Sequence, residues 1–154
     1  MVTHNHMTLA MIKPDASSGR KVGRIISRIE EEGFSILGAK MIQFKPYGAA
    51  EFYVEHKDKP FFEELTHFVS RGPVWALILF KENAVEDFRK LLGSTNSAEA
   101  APGTLRHEFG THKVIRENAV HGSATPADAA REIDFFFGED FRAFQENQSR
   151  TPLV

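Results

Sequence analysis

The chain has 154 residues, which is enough for one domain with a sizeable core. With 42% hydrophobic and 26% charged residues and a formal net charge of −2, it has the composition of an ordinary globular protein and no broad basic surface for nucleic acid. The absence of cysteine excludes disulfides, thiol catalysis and thiolate metal sites. No apolar run approaches the ~18 residues that span a membrane, and the N-terminus lacks the apolar core of a signal peptide, so we expect a cytoplasmic protein.

The first half of the chain predicts two strands and three helices. In order, these are a strand at 9–12, a helix at 22–32 after a loop at 17–20, a strand at 34–44, and short helices at 49–55 and 61–69. The run 9–12 is too short for a helix and is ended by Pro14, whereas 34–44 mostly alternates up to Pro46. Gly33 is a C-terminal stop for the first helix.

The second half begins with the most apolar run of the chain, 74–80, which we expect to be a central strand. A helix bracketed by Asn83 as its N-cap and Gly93 as its stop follows. Residues 94–117 have weak periodicity, and a loop this long in a compact domain is usually functional. A short fourth strand and a helix that starts at Pro126 complete the pattern.

Without the two extra short helices, this order is βαββαβ with one helix added after the last strand. It predicts an α+β fold, the ferredoxin-like sandwich, with a four-stranded antiparallel sheet, helices on one face and an extra C-terminal helix. We expect a single domain at 8–141, preceded by a flexible extension at 1–7 and followed by a C-terminal tail at 142–154.

His121 lies where the fourth strand should end, because two apolar residues precede it and Gly122 lets the chain turn away. Reactive side chains commonly lie at strand ends, and a neutral imidazole can attack an electrophile without a separate base. The alternative from the residue alone is a histidine hydrogen-bonded within a loop. Glu132, on the last predicted helix, would orient the ring if that helix folds back, and would otherwise be a surface carboxylate.

Basic and hydroxyl side chains around the long loop suggest a clamp for phosphate oxygens. Arg89 precedes the loop, Thr95 and Arg106 lie within it, and Lys13 ends the first strand. A guanidinium fork matches phosphate oxygens in a bidentate way. Neither a Walker-type nor a G-x-G-x-x-G loop is present, so these residues would have to hold a nucleotide in another way. Each basic residue taken singly also fits a solvated surface charge.

Five segments of the chain resemble the nucleoside diphosphate kinase family. They are T-L-A-M-I-K-P-D-A at 8–16, F-Y-V-E-H-K-D-K-P-F-F at 52–62, G-S-T-N-S-A-E-A-A-P-G-T-L-R at 93–106, N-A-V-H-G-S at 118–123 and E-I-D-F-F-F at 132–137. The resemblance extends from about Thr8 to Phe141, nearly the whole chain. It favours a nucleophilic role for His121 over a histidine bonded within a loop.

The resemblance implies a role for each matching residue. His121 would take the γ-phosphate of a nucleoside triphosphate such as ATP as a pros-phosphohistidine and pass it to a nucleoside diphosphate in a ping-pong reaction. Ser123 and Glu132 would hold the histidine, and Tyr53 would lie near Lys13, which reaches the transferring phosphate and the ribose. The other nucleotide contacts that the resemblance implies are phosphate contacts from Arg89, Thr95 and Arg106, a ribose contact from Asn118 and base stacking on Phe61.

The resemblance also implies a cofactor and an assembly. Mg²⁺ would be carried by the nucleotide phosphates, with no direct protein ligand. Members of the family form dimers that associate further, so we expect a homotetramer or a homohexamer, and the sequence leaves the choice open. The expected partners are ATP and other nucleoside tri- and diphosphates, with no membrane and no obligatory nucleic acid.

Two features depart from the family pattern. Ala124 stands where an aspartate is usual, and Asn118 lies twelve positions after Arg106, two more than the family pattern has. The second wall of the base pocket should lie in this longer segment, with Val114 or Ile115 as candidates. These departures leave an alternative open, a weakly active or inactive module of the same fold that binds nucleotides or protein partners.

Overall fold

The computed structural model describes residues 6–148. Its strands are β1 (Met7–Ile12), β2 (Ser35–Gln43), β3 (Pro73–Phe80) and β4 (Val120–Gly122). Its helices are α1 (Pro14–Ser18), α2 (Val22–Glu31), α3 (Pro46–Phe52), α4 (Phe62–Val69), α5 (Ala84–Leu92), α6 (Leu105–Phe109) and α7 (Pro126–Gln148), and a 3₁₀ turn at Val54–His56 follows α3. Every strand and helix predicted from the sequence is present, with boundaries shifted by a few residues.

The four strands form one antiparallel sheet in the order β2-β3-β1-β4. The long apolar strand β3 is central as predicted, with Leu9 of β1 opposite Ile78. Short β4 pairs only with β1, and this pairing brings His121 opposite Met11. The predicted ferredoxin-like α+β fold is confirmed. Within residues 6–148, no helix is both long and apolar enough to cross a bilayer.

Helices cover both faces of the sheet, whereas the sequence predicted them on one face. Ala10 and Ile12 of β1 point into a core with α2, α5 and α6, and this is the predicted helical face. Leu9 and Met11 point the other way, into a core with α3, α4 and α7. All six residues of β1 are buried, because alternate side chains enter different cores. A continuous apolar strand is the pattern of a sheet covered on both sides.

Two short helices occupy segments that were predicted as loops. α1 begins at Pro14, whose fixed φ and missing N–H suit the first helical position, so it extends into the predicted loop at 17–20. α6 begins after Thr104, whose hydroxyl accepts a hydrogen bond from His107 N–H at 3.3 Å. Asn83 occupies the predicted cap position of α5, but it has a φ of 55° and makes no side-chain cap bond.

The N-terminal boundary differs from the prediction. Met7, assigned from sequence to a flexible extension at 1–7, is the first residue of β1 and is buried. It belongs to the strand because it pairs with Phe80 of β3. Residues 1–5 of that predicted extension lie outside the described residues. His6 is described, and its ring packs edge-on against Phe80 with the ring centroids 6.0 Å apart.

The C-terminal boundary also differs. α7 continues to Gln148, so the first part of the predicted tail at 142–154 is helical. The helix is broken at Gly138, where a φ of 39° lets the chain change direction. Phe141, just beyond this break, packs against the second core. The remainder of the predicted tail, 149–154, lies outside the described residues.

Candidate active site

His121 is held in one orientation by a carboxylate from α7. Its Nε2 donates a hydrogen bond to Glu132 Oε1 at 2.5 Å, and Glu132 is only 3% exposed. Ser123 Oγ donates to the same oxygen at 3.4 Å and accepts a hydrogen bond from Leu9 N–H at 3.2 Å. Because an ionised carboxylate can only accept, Nε2 carries the proton and Nδ1 keeps its lone pair. Of the two alternatives that the sequence left open for Glu132, the structure therefore shows the helix folded back, with the carboxylate on the imidazole.

Two aromatic rings from the end of α3 pack against the imidazole. The ring centroids of Phe52 and Tyr53 lie 5.5 and 6.0 Å from that of His121, both edge-on. Tyr53 is 5% exposed, and its hydroxyl has no hydrogen-bond partner among the described residues. Burial, together with the nearby charge of Glu132, raises the pKa of Tyr53 well above its usual range. Tyr53 is therefore a neutral donor beside the imidazole.

A strained turn precedes the histidine. Ala119 has a φ of 72°, and Val120 N–H donates across it to Asn118 O at 2.9 Å, which makes a γ-turn of the rare positive-φ type. Two bonds hold Ala119: its N–H donates to Asp15 Oδ2 at 3.0 Å, and its carbonyl accepts from Lys13 N–H at 2.8 Å. A residue keeps a strained backbone conformation of this kind only where the hydrogen bonds and packing around it hold it in place. The β1–α1 junction therefore fixes the path of the chain into β4.

Asp15 was missing from the predicted site residues. Its place directly after the Lys13-Pro14 pair, inside the first motif, was the signal that could have marked it. Burial raises the pKa of its carboxyl, while the charge of Lys13 opposes this rise. Its second oxygen, Oδ1, is buried and has no hydrogen-bond partner among the described residues.

The ammonium group of Lys13 is nearly enclosed, with the residue 6% exposed. It donates to Asn118 Oδ1 at 2.8 Å and to the carbonyl of Arg116 at 3.3 Å. Burial and then the positive charge of Arg106 lower the pKa of Lys13 to about 8. Asn118 in turn donates from Nδ2 to the carbonyl of Thr95 at 2.9 Å. The structure thus links three predicted site residues, Lys13, Asn118 and Thr95, in one chain of hydrogen bonds.

Arg106 braces the backbone on both sides of the site. Its guanidinium donates to Val120 O at 3.2 and 3.1 Å and to Gly93 O at 3.1 Å. Burial and then the charge of nearby Arg89 lower the pKa of Arg106 to about 10. The two arginines are therefore close enough to repel each other, which favours an anion between or beside them.

The predicted nucleotide-binding side chains that remain lie at the rim. Arg89 and Thr95 are exposed, and Phe61 is 40% exposed at the start of α4. The ring of Phe61 lies 5.8 Å from that of His56, which lies 6.2 Å from Tyr53. His56, which the sequence analysis did not single out, thus connects the rim to the aromatic wall of the imidazole.

Both candidates for the second wall of the base pocket are on the surface. Val114 is 42% exposed and Ile115 is 55% exposed, which is unusual for large apolar side chains. On the other side of the imidazole, Ala124 lines a cavity of about 80 Å³ with His121 and Arg131. Ala124 thus forms part of the lining of this cavity, while the imidazole has its hydrogen bond to Glu132.

The chain matches a known protein family over nearly its whole length. A sequence model of the family described as nucleoside diphosphate kinase matches residues 6–141. This chain belongs to the nucleoside diphosphate kinase family. Among its relatives, the nucleoside diphosphate kinase of Pelobacter propionicus is 50% identical over 130 residues, which are 84% of this chain and 93% of the relative. That of Trichlorobacter lovleyi is 51% identical over 130 residues, with the same coverage of both chains.

Solved structures of the family have the same fold. The nucleoside diphosphate kinase of Aquifex aeolicus superposes with a TM-score of 0.83 at 43% identity, covering 86% of this chain and 94% of its own. The halophilic enzyme of Halobacterium salinarum in complex with CDP also gives 0.83, at 37% identity, covering 89% of this chain and 90% of its own. The family and the phosphotransferase class predicted from the five motifs are therefore confirmed. As a nucleoside diphosphate kinase, this chain acts on nucleotides.

Proposed function

We propose that this nucleoside diphosphate kinase transfers the γ-phosphate of a nucleoside triphosphate such as ATP to a nucleoside diphosphate through a phosphohistidine on His121. The observation that most supports the proposal is the 2.5 Å bond from His121 Nε2 to Glu132, because it leaves the lone pair on Nδ1. Ser123 supports the same carboxylate oxygen, so the ring has little freedom to turn.

The reaction has two balanced halves. In the first, Nδ1 of His121 bonds to the γ-phosphorus while the bond from phosphorus to the β–γ bridging oxygen breaks, and the nucleoside diphosphate leaves. The proton stays on Nε2, and the Glu132 carboxylate offsets the positive charge that the ring gains. In the second, a terminal β-phosphate oxygen of another nucleoside diphosphate attacks phosphorus and the P–N bond breaks. One site can serve both halves because donor and acceptor bind alike.

Phosphoryl transfer depends mainly on positioning and on neutralising charge. We assign phosphate binding to Lys13, Arg89, Thr95 and Arg106, because the two buried cations in this group have lowered pKa values that a phosphate anion would restore. The Tyr53 hydroxyl is buried beside the imidazole and has no hydrogen-bond partner within residues 6–148, so it supplies an uncharged donor close to the transferring phosphate.

The nucleoside would lie between α4 and the segment 111–117. We assign the ribose contact to Asn118, whose Oδ1 is already bonded to Lys13 and retains a second lone pair. Phe61 would stack on the base, and Ile115 or Val114 would face it, since all three are exposed apolar side chains at the rim. Stacking accepts any base because every base has a π-face. The bound CDP of the Halobacterium salinarum relative is a ligand of this class.

The donor set at the site fits Mg²⁺ carried on the nucleotide. Among residues 6–148, no group of three or more His, Asp or Glu side chains could hold a metal ion, and the carboxylate beside the imidazole, Glu132, is bonded to His121. Lys13 and Arg106 would hold the phosphate oxygens that carry the ion. Bound Mg²⁺ would neutralise charge on the β- and γ-phosphates, as it does where it keeps few protein ligands.

We also propose an assembly built from dimers, either a tetramer or a hexamer. Met41 on the edge strand β2 is 57% exposed and Tyr47 on α3 is 71% exposed, which leaves apolar surface for a neighbouring subunit. Light scattering at micromolar concentration measures the mass, and a monomer would contradict the proposal. A cytoplasmic location remains a prediction from the sequence.

Phosphoenzyme formation tests the proposed mechanism. Incubation with γ-labelled ATP and Mg²⁺ should give an acid-labile, alkali-stable phosphoprotein, and chelation of the metal should suppress the label. His121→Ala should abolish labelling, whereas His67→Ala, which removes an exposed histidine on α4, should label like the wild type. Labelling of His121→Ala at the wild-type level would refute the mechanism.

Steady-state turnover separates this proposal from the second candidate. Ala124 and the lengthened segment before Asn118 favour a weakly active or inactive module that binds nucleotides or protein partners. Turnover with ATP and a second diphosphate, at rates ordinary for kinases of roughly 1–100 per second or faster, would remove that candidate. Tight nucleotide binding without turnover would establish it.

A further inference from the structure

Two ion pairs join α4 to the segment 111–117. Arg116 pairs with Glu64 of α4, and Arg71, just past the end of α4, pairs with Glu117 at 3.0 Å. The polarity is reversed between the pairs, because each side supplies one cation and one anion. We call these four residues the clasp. Reversed polarity fixes the register between the two elements, since a shift along α4 would bring like charges together.

The clasp is more ordered than a usual surface ion pair. The second oxygen of Glu117 accepts a hydrogen bond from Thr111 Oγ1 at 3.1 Å, and Thr111 N–H donates to Glu117 O at 2.7 Å. The guanidinium carbon of Arg71 lies 4.7 Å from the centre of the Phe68 ring. The side chains of Arg116 and Glu117 are only 25% and 24% exposed, whereas those of their partners Glu64 and Arg71 are 67% and 52% exposed. The side-chain entropy of Arg116 and Glu117 is therefore already reduced, which removes part of the cost that makes most surface pairs weak.

The position of the clasp links it to the site. α4 starts directly after Phe61, and the segment 111–117 carries Ile115 and ends directly before Asn118. The carbonyl of Arg116 accepts a hydrogen bond from Lys13 Nζ at 3.3 Å. The ion pairs thus hold together the two elements that carry the exposed apolar side chains of the rim, while the segment is anchored at its base to Lys13.

We propose that the clasp, Glu64–Arg116 and Arg71–Glu117, is a positioning device that sets the width of the nucleoside-binding mouth and so the affinity for nucleotides. This inference rests on the proposed function, because it assigns the base to the gap between Phe61 and Ile115. Among the residues that the structure describes, the four side chains form no ion pair or hydrogen bond with His121, so we expect the clasp to act on binding and not on the transfer step. It is expected to change KM and to leave kcat close to the wild-type value.

Charge reversal tests the clasp. Glu64→Arg and Arg116→Glu should each raise KM for a nucleoside diphosphate about fivefold, because an ordered surface ion pair contributes about 1 kcal/mol and like charges then face each other. For Glu64→Arg, whose position is remote from Lys13, kcat should stay within twofold of the wild-type value. The double variant Glu64→Arg/Arg116→Glu should return KM to within twofold of the wild type. Glu63→Arg makes the same change of charge one residue away on α4 and measures the effect of net charge on an anionic ligand.

The outcomes separate this inference from the proposed function. The proposed role of the clasp would be overturned if Glu64→Arg had the same KM as Glu63→Arg, or if the double variant did not recover the wild-type KM. A parallel measurement of ADP binding by equilibrium dialysis covers the case of a wild type without turnover. In that case the proposed function fails. Weakened ADP binding by the single variants with recovery in the double variant would still support the role of the clasp. Unchanged ADP binding in the single variants would overturn it.

Discussion

The buried ammonium of Lys13 should make the stability of this kinase rise with pH. Burial and the charge of Arg106 lower the pKa of Lys13 from 10.5 to about 8, although Asn118 Oδ1 accepts its hydrogen bond at 2.8 Å. Below pH 8 the folded protein must hold a charged group where the charge is disfavoured, whereas the unfolded chain holds it in water. Replacing this residue, Lys13→Met, removes the titration.

The magnitude follows from the two pKa values. The gap between 10.5 and about 8 corresponds to about 3 kcal/mol at 1.36 kcal/mol for each unit of pKa. The unfolded chain binds the proton more tightly, so the free energy of unfolding rises as pH increases through 8 toward 10.5. Between pH 7 and pH 10, the wild type should therefore gain about 2.5 kcal/mol relative to Lys13→Met. The variant should also lose phosphoryl transfer.

Urea unfolding at pH 7 and pH 10 measures this difference, with the protein concentration held constant because assembly shifts apparent stability. Lys90→Met is the matched control, since Lys90 is an exposed lysine on α5 that forms a surface pair with Glu86 at 3.2 Å. Its difference from the wild type should stay constant between the two pH values. Parallel pH curves for the wild type and Lys13→Met would refute the lowered pKa and the enclosure that causes it.

Three further predictions concern the position of His121. Gly122→Ala would place a Cβ 2.6 Å from Leu92 Cδ1, so it should lower stability by about 1–3 kcal/mol in thermal melts and reduce transfer, whereas Gly23→Ala, which meets nothing within 4 Å, should do neither. Glu132→Gln should lower kcat by roughly 10- to 100-fold in steady-state assays, because an uncharged amide replaces a charged hydrogen-bond partner; an unchanged kcat would exclude its orienting role. Asp15→Ala should cost about 1–3 kcal/mol in urea unfolding by leaving Ala119 N–H unpaired, and Asp15→Asn, which keeps an acceptor, should cost less; equal losses would argue against that bond.

Local patterns in the sequence determined the secondary-structure elements and the family. The apolar run at 74–80 predicted the central strand β3, Gly93 predicted the end of α5, and Pro126 predicted the start of α7. These predictions succeeded because backbone preferences act over a few residues. The five motifs identified the family because each is a run of consecutive residues long enough to be specific. One of these motifs, at 118–123, contains His121.

Tertiary structure alone decided which side chains meet. The apolar run of β1 indicates a strand buried on both faces, but no sequence pattern shows that α3, α4 and α7 are the helices that cover the second face. Asp15 lies 104 positions from Ala119, and Glu64 lies 52 positions from Arg116. Neither pair leaves a local signal, because sequence periodicity reports neighbours within a turn or a strand. The hydrogen bond between His121 and Glu132 needed both, because a motif supplies the imidazole and the packing of α7 brings the carboxylate to it.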